Sequence, residues 1–285
     1  MKYLITGSGG FIASHVLETL RDRRIESIGL ERHINHLEVQ PDQLYFGDMR
    51  DKSLVEKVVS MSDGVINLAG ILGTQETIDN PYPSVETNIL GALNVFEACK
   101  IWKKPLVQIS VGNHWMNNSY SITKLCAERF AQMYAKEHGV KVNIVRALNA
   151  FGERQKFAPV RKMMPYFITQ ALKNEDIGIY GDGLQEMDFI YVKDVAAILL
   201  EVLDNTRRGE YKPGQVFEAG NGEAPTVNEW AQKVIKLTGS TSKIVHNPMR
   251  PGEPANSRVI SENPYPFITT KIDEALKKTI QWYTK

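Results

Sequence analysis

The sequence predicts an α/β protein, a doubly wound parallel sheet with a smaller C-terminal lobe. Three observations carry this. Short apolar runs alternate with longer amphipathic ones up to about Ala150, the pattern of parallel strands covered by helices. A glycine-rich turn separates the first run from the first amphipathic stretch. After about Ala150 the rhythm changes, and the elements become shorter and less regular.

The runs YLIT (3–6), ESIGLE (26–31), GVINLA (64–69), PLVQIS (105–110) and VNIVRA (142–147) read as strands. Phe11 to Arg23 reads as a helix, with Ile12, Val16 and Leu20 spaced along its inner face. Parallel strands joined by helices wind right-handedly and hold ligands at their carboxyl ends. Beyond Ala150, RKMMPYFITQALKNE (161–175) is helical, with Pro165 marking a start or a kink. IGIYGDGLQEMDFIYV (177–192) reads as strand with a tight Gly-Asp-Gly turn inside it. DVAAILLEVLDN (194–205) is a strongly apolar helix, and a last helix runs from Ile272 to Tyr283. The expected division is a sheet domain of 1–152 plus about 188–217, and a lobe of about 153–187 and 218–285.

The 285 residues are 42% hydrophobic and 24% charged, with 34 basic against 33 acidic side chains. A net charge of +1 gives no reason to expect nucleic acid or an anionic membrane as partner. Cys99 and Cys126 are too few for a disulfide framework. The opening MKYLITGSGGF has too short an apolar run for a secretory leader, and no stretch reaches the ~18 apolar residues of a membrane span. A soluble protein of the cytoplasm is expected. His33 and His36 are spaced like metal ligands, but no cysteine or further histidine completes a set, so no metal is expected. Cys126 reads as a packing residue, and Met163 and Met164 read as core or pocket lining.

TGSGGFIAS follows the first strand and opens the first helix, with Gly7, Gly10 and Ala13 in G-x-x-G-x-x-G/A spacing. Gly7 permits the tight turn, Gly10 lets the backbone approach a pyrophosphate, and Ala13 lets helix pack on sheet. Gly9, Phe11 and Ile12 complete the turn and the helix start, whose amides and partial positive charge suit an anion. In this strand–turn–helix setting the motif reads as a Rossmann-like dinucleotide site. Glu31, ending the second strand, is placed to accept from ribose hydroxyls. Arg32 could instead grip a 2′-phosphate, and NAD is favoured over NADP.

Tyr120 and Lys124 are four residues apart, so on a helix they share a face. A tyrosine of pKa ~10 is a poor base at neutrality, and a nearby ammonium together with a nicotinamide's positive charge favours its phenolate. The pair therefore reads as a proton-transfer site, with Lys124 and the cofactor ring together expected to lower the pKa of Tyr120.

At this point the chain resembles the extended short-chain dehydrogenases/reductases, and within them the NAD-dependent nucleotide-sugar epimerases and dehydratases. The resemblance rests on TGSGGFIAS, YFGDMRD, VINLAG, SVETNILGALNVFEAC, YSITK, VRALNAFGERQ, IYGDGLQEMDFIYVKDVA and RPGEP, which occur in that family's order. It implies Asp48 and Met49 beside the adenine, Ala69 and Gly70 along the cofactor, and Asn88 supporting Lys124 through water or backbone. It implies Arg250 on a substrate phosphate, a role suited to a guanidinium, and Asn149 and Arg154 near the substrate. A homodimer is expected on the same analogy.

The pattern also departs from the family. The serine or threonine that meets the sugar hydroxyl there is Val111 here, with Ser110 one residue early and therefore on the opposite face of an extended chain. Ser110, Asn113, His114 and Ser119 remain candidates for that contact. Where dehydratases carry an acidic pair, this chain has Gly112 and Asn113, which disfavours a 4,6-dehydratase. Met187 stands where the family commonly has an arginine against the diphosphate.

The expected function is a nucleoside-diphosphate-sugar 4-epimerase that makes and reduces a transient keto-sugar with NAD, using Tyr120, Lys124 and Ser110. Alternatives are a pyranose–furanose rearrangement, a keto-sugar reductase, or a dinucleotide-sensing module without catalysis.

Overall fold

The computed structural model describes residues 1–33, 37–158, 160–250, 257–266 and 270–285. His36 and the segment after Arg250 in RPGEP lie outside them.

The chain begins with β1 (Lys2–Thr6), α1 (Phe11–Asp22), β2 (Glu26–Glu31), β3 (Gln43–Phe46), α2 (Lys52–Ser60) and β4 (Gly64–Asn67). A short helix, α3 (Tyr82–Ser84), runs into a π-helical segment (Val85–Gly91) and on into α4 (Ala92–Trp102). Next come β5 (Leu106–Val111), α5 (Ser119–His138), β6 (Val142–Ala147) and β7 (Asn149–Phe151). The remainder is α6 (Met163–Leu172), β8 (Ile177–Tyr180), β9 (Glu186–Met187), β10 (Phe189–Tyr191), α7 (Val192–Arg208), β11 (Val216–Ala219), α8 (Val227–Thr238), β12 (Ile244–Asn247), β13 (Arg258–Val259) and α9 (Ile272–Tyr283).

Seven strands form one parallel sheet in the order β11-β6-β5-β4-β1-β2-β3. The winding direction reverses between β1 and β4, and open α/β sheets bind ligands outside the carboxyl ends of the strands at such a point. Buried polar side chains tie those strand ends together. The Thr6 hydroxyl donates to Asn67 Oδ1 at 2.6 Å, and Asn67 Nδ2 donates to Gln108 Oε1 at 2.7 Å. The amides of Leu68 and Ala69 both donate to Thr6 Oγ1 at 3.1 Å, which fixes the chain leaving β4.

One face of the sheet packs on α2, α4 and α5, and the other on α1 and α7. Val16 and Leu20 of α1 are buried there, and Ile12 packs against the same cluster. Phe151, Phe167, Trp230 and Leu276 belong to a separate core, built mainly from β7, α6, α8 and α9.

Pro165 is the third residue of α6 and sits in its first turn, where a missing N–H costs nothing. The span 177–192 is not one strand folded on itself. Gly181 and Gly183 turn the chain with φ of +76° and +73°, but β8 then pairs in parallel with β12, and β9 with β13. β10 pairs with β7.

Candidate active site

The first turn of the site is built by glycine. Gly7 has φ +64°, and a Cβ there would sit 2.9 Å from Ala69 Cα, so only glycine fits. Its amide donates to the Leu30 carbonyl at 2.8 Å, and the Gly10 amide donates to the Gly7 carbonyl at 2.9 Å. Gly10 caps α1 without a side chain, and the first turn carries no acid. The amides at that helix start have no partner within the helix and are open to an anion.

Glu31 ends β2 with its carboxylate held on both oxygens. Oε2 accepts from the Gly9 amide at 2.8 Å, while Oε1 accepts from the amides of Arg32 at 2.8 Å and His33 at 3.0 Å. Arg32 reaches Asp48 at 3.4 Å and the His33 ring at 3.1 Å. Arg50 grips Asp48 through two bonds of 3.0 and 2.8 Å, and that grip holds the carboxyl down at about 2. Met49 is buried against Gly91, where a Cβ would lie 2.6 Å from its Cγ.

Gly7, Gly10, Glu31, Arg32, Asp48 and Met49 line a groove of about 420 Å³ with Ala69, Gly70 and Arg154. The glycine cradle, the open helix start and the fixed carboxylate have the chemistry to hold a dinucleotide.

A second cavity of about 470 Å³ shares Gly7, Gly10, Phe11 and Gly70 with the groove. Tyr120 and Lys124 line it from the start of α5, whose Asn118 cap accepts from the Ser121 amide at 2.9 Å. Lys124 is only 4% exposed. Burial pushes the Tyr120 hydroxyl up to about 12 and the Lys124 ammonium down to about 8. The expected lowering of Tyr120 by Lys124 is therefore not met in the protein by itself. Desolvation dominates both groups, and burial disfavours the charged form of each.

The candidates for the sugar-hydroxyl contact separate clearly. Ser110 lines the cavity, and its buried Oγ has no hydrogen-bond partner among the described residues. Val111 lines it too and brings no donor. Ser119 donates to the Thr77 carbonyl at 3.0 Å. Asn113 lines the cavity with Nδ2 against Met116 Sδ at 3.2 Å. The His114 ring turns back to the Gly112 carbonyl at 3.2 Å and lies outside the lining. Such an orphaned buried hydroxyl is costly unless a ligand meets it.

Asn88 occupies the π-helical segment, a form of helix frequent at functional sites. Its side chain accepts from the Ile71 amide at 2.7 Å and donates to the Ile71 carbonyl and the Thr123 hydroxyl, both at 3.0 Å. A Cβ on Gly70 would lie 2.9 Å from Asn88 Oδ1. Asn88 thus ties the cofactor-side turn to the residue before Lys124. Its hydrogen bonds go to the turn and to Thr123.

Asn149 lines the cavity from β7, with Nδ2 donating to the Asp188 carbonyl at 2.9 Å. Arg250 lines it too. Arg154 does not. It faces the cofactor groove with φ +67° and pairs with Glu18 at 2.8 Å. Sequence reasoning missed Arg161, Tyr166 and Tyr180, which line the same cavity. The only hint was a basic pair ahead of a helix, which reads equally well as a solvated flank.

A dinucleotide groove opening onto a half-buried tyrosine and a buried lysine is the equipment of a dinucleotide-dependent enzyme. The model of the NAD-dependent epimerase/dehydratase family matches residues 3–220, and the chain belongs to that family, whose cofactor is NAD. Among relatives, the UDP-N-acetyl-alpha-D-glucosaminuronate decarboxylase of Bacillus cytotoxicus is 29% identical, covering 99% of this chain and 97% of its own. The putative UDP-glucose 4-epimerase of Methanocaldococcus jannaschii is 28% identical, covering 88% and 87%. Among solved structures, the UDP-glucose 4-epimerase of Thermotoga maritima with UDP-glucose superposes with a TM-score of 0.89 at 24% identity, covering 100% of this chain and 99% of its own. The enzyme of Thermus thermophilus in complex with NAD gives 0.86 at 24%, with the same coverage. At these identities the structures establish the fold.

Proposed function

We propose that the chain is a nucleoside-diphosphate-sugar epimerase that works at carbon 4 through a transient keto-sugar. The observation that carries the reading is the half-buried Tyr120 and buried Lys124 lining a cavity that adjoins the dinucleotide groove, with the Ser110 hydroxyl, unpartnered among the described residues, in the same lining. Bound NAD supplies the oxidation of the sugar carbon and its later reduction. Tyr120 takes the proton from the sugar hydroxyl and returns it. Lys124 holds positive charge one helical turn away, and a cationic cofactor ring adds to it, so the phenolate gains what burial alone denies it. Ser110 Oγ bonds the same sugar oxygen and orients it toward Tyr120. Asn88 keeps the turn at Gly70 and the helix of Lys124 in register. Gly9, Phe11, Ile12, Arg32 and Ala69 complete the cofactor's surroundings, while Asn113, Asn149 and Arg250 serve the substrate. We further propose a homodimer.

A second reading is decarboxylation of a nucleotide-linked uronate, which begins with the same oxidation and is supported by the Bacillus cytotoxicus relative. A panel of UDP-, GDP-, CDP- and dTDP-sugars and uronates separates the two, because one gives an epimer by NMR and the other releases carbon dioxide. In Tyr120→Phe, turnover should fall by ~10²–10⁴, with NAD still bound by mass and absorbance. Substantial activity in that variant would refute the mechanism.

A further inference from the structure

Among the described residues, the charged side chains lining the substrate cavity are Lys124, Arg161, Lys162, Arg250 and a single acid, Glu76. The cavity is therefore built for a ligand with more than one negative charge.

Two of these cations share one aromatic ring. The guanidinium carbon of Arg161 lies 5.6 Å from the Tyr180 ring centre, and that of Arg250 lies 4.6 Å from it. Arg161 is fixed in place twice more. It stacks 3.5 Å over Tyr166, and Nη1 donates to the Tyr180 hydroxyl at 3.1 Å. Tyr166 is in turn anchored by the Gly178 amide, which donates to its hydroxyl at 3.1 Å. Arg161 has no carboxylate partner among the described residues. A guanidinium stacked face-on keeps its edge donors free, and those donors fit phosphate oxygens as a fork. Holding such a side chain in advance removes most of the entropy cost of ordering it on binding.

We propose that Arg161, set beside Arg250 around Tyr180, makes this cavity select a nucleoside diphosphate over a nucleoside monophosphate. One guanidinium can match one phosphate; two on one ring match two adjacent phosphates. The proposal rests on the reading of the substrate as a nucleoside-diphosphate sugar and names the residue that enforces it.

The test uses the NAD-saturated protein, so that the cofactor groove is filled, and calorimetric titration with UDP, GDP, CDP and dTDP and the matching monophosphates. For the diphosphate that binds most tightly, Arg161→Gln should weaken binding by about 10- to 100-fold, the loss of one charge-assisted contact. Binding of the matching monophosphate should change by less than about threefold, and NAD binding should be unchanged. Arg161→Lys keeps the charge without the fork or the stack and should fall between; it carries the test if the glutamine variant fails to fold. Equal losses for diphosphate and monophosphate, or no loss for either, would overturn the role of Arg161 and leave the substrate class standing. A wild-type protein that bound none of the four diphosphates would overturn the substrate class, and this proposal with it.

Discussion

Lys124 is an ammonium held where water barely reaches, and that position has a thermodynamic consequence. Its folded value of about 8 lies below the ordinary 10.5, because burial disfavours the charge. The unfolded chain therefore binds its proton more tightly. Between those two values it carries more protons than the folded chain, so stability rises with pH across that window. Below about 8 the full cost, of order 3 kcal/mol, is present. Lys124→Met should thus raise the unfolding free energy at pH 7 by about 3 kcal/mol while abolishing turnover. The gain should largely vanish by pH 10. Urea unfolding of both proteins at the two pH values checks this, and a methionine variant less stable than wild type at pH 7 would show that the ammonium has a stabilising partner. Tyr120 and Lys124 were legible in sequence because their four-residue spacing survives in any helix. The direction of their pKa values was not, since spacing reports proximity and says nothing of burial. Arg161 was illegible for a related reason: only the fold brings it to Tyr166 and Tyr180.

Three segments far apart in sequence meet at Asp188, which lies between β9 and β10: the chain after β11, the chain after β13, and its own. Its buried carboxylate accepts from the amides of Asn221 at 2.8 Å, Gly222 at 2.9 Å and Ser261 at 3.1 Å. Burial pushes this carboxyl up, and the three amides pull against that shift. Gly220 is required beside it, since a Cβ there would lie 2.7 Å from Asp188 Oδ2. Asp188→Ala leaves three amides without their acceptor and should cost about 3–5 kcal/mol, read by thermal and denaturant unfolding. A loss under about 1 kcal/mol would mean that water replaces the carboxylate freely. At this scale the five strands read from apolar runs were legible because parallel strands are covered on both faces. β3 was not, being a short edge strand with its residues part-buried or exposed. The span 177–192 was misread because β8 pairs with β12, whose Ile244 lies opposite Ile177, and local sequence cannot announce a partner so distant. The π-helical turn around Asn88 was invisible to a reading based on a 3.6-residue period.

For the molecule as a whole, the order of motifs along the chain gave the architecture, while its outer surface had to come from coordinates. The π-helical segment, α4 and α5 pack together on one side of the sheet. Their outward surfaces leave Leu90 52%, Ile101 50%, Trp102 46% and Ile122 54% exposed. Large apolar side chains gain about 1.5–3 kcal/mol each when fully buried, so several on adjacent helices can drive association. A stable pairing needs about 800 Å² from each partner, an area that two helices of this length can supply. Net charge of +1 sets no strong repulsion against it. The proposed homodimer would therefore close over this face, and α5, which carries Tyr120 and Lys124, would be braced from outside as well as from the sheet. Sedimentation at micromolar concentration should give twice the 32.2 kDa chain mass for wild type. Ile101→Glu combined with Ile122→Glu places two like charges where the helices meet and should yield the single-chain mass. Its activity should fall with association while its NAD groove, on the opposite end of the strand-helix units from Ile101, continues to bind cofactor. A wild-type protein that sediments as one chain, or a double variant that still pairs, would move the interface elsewhere.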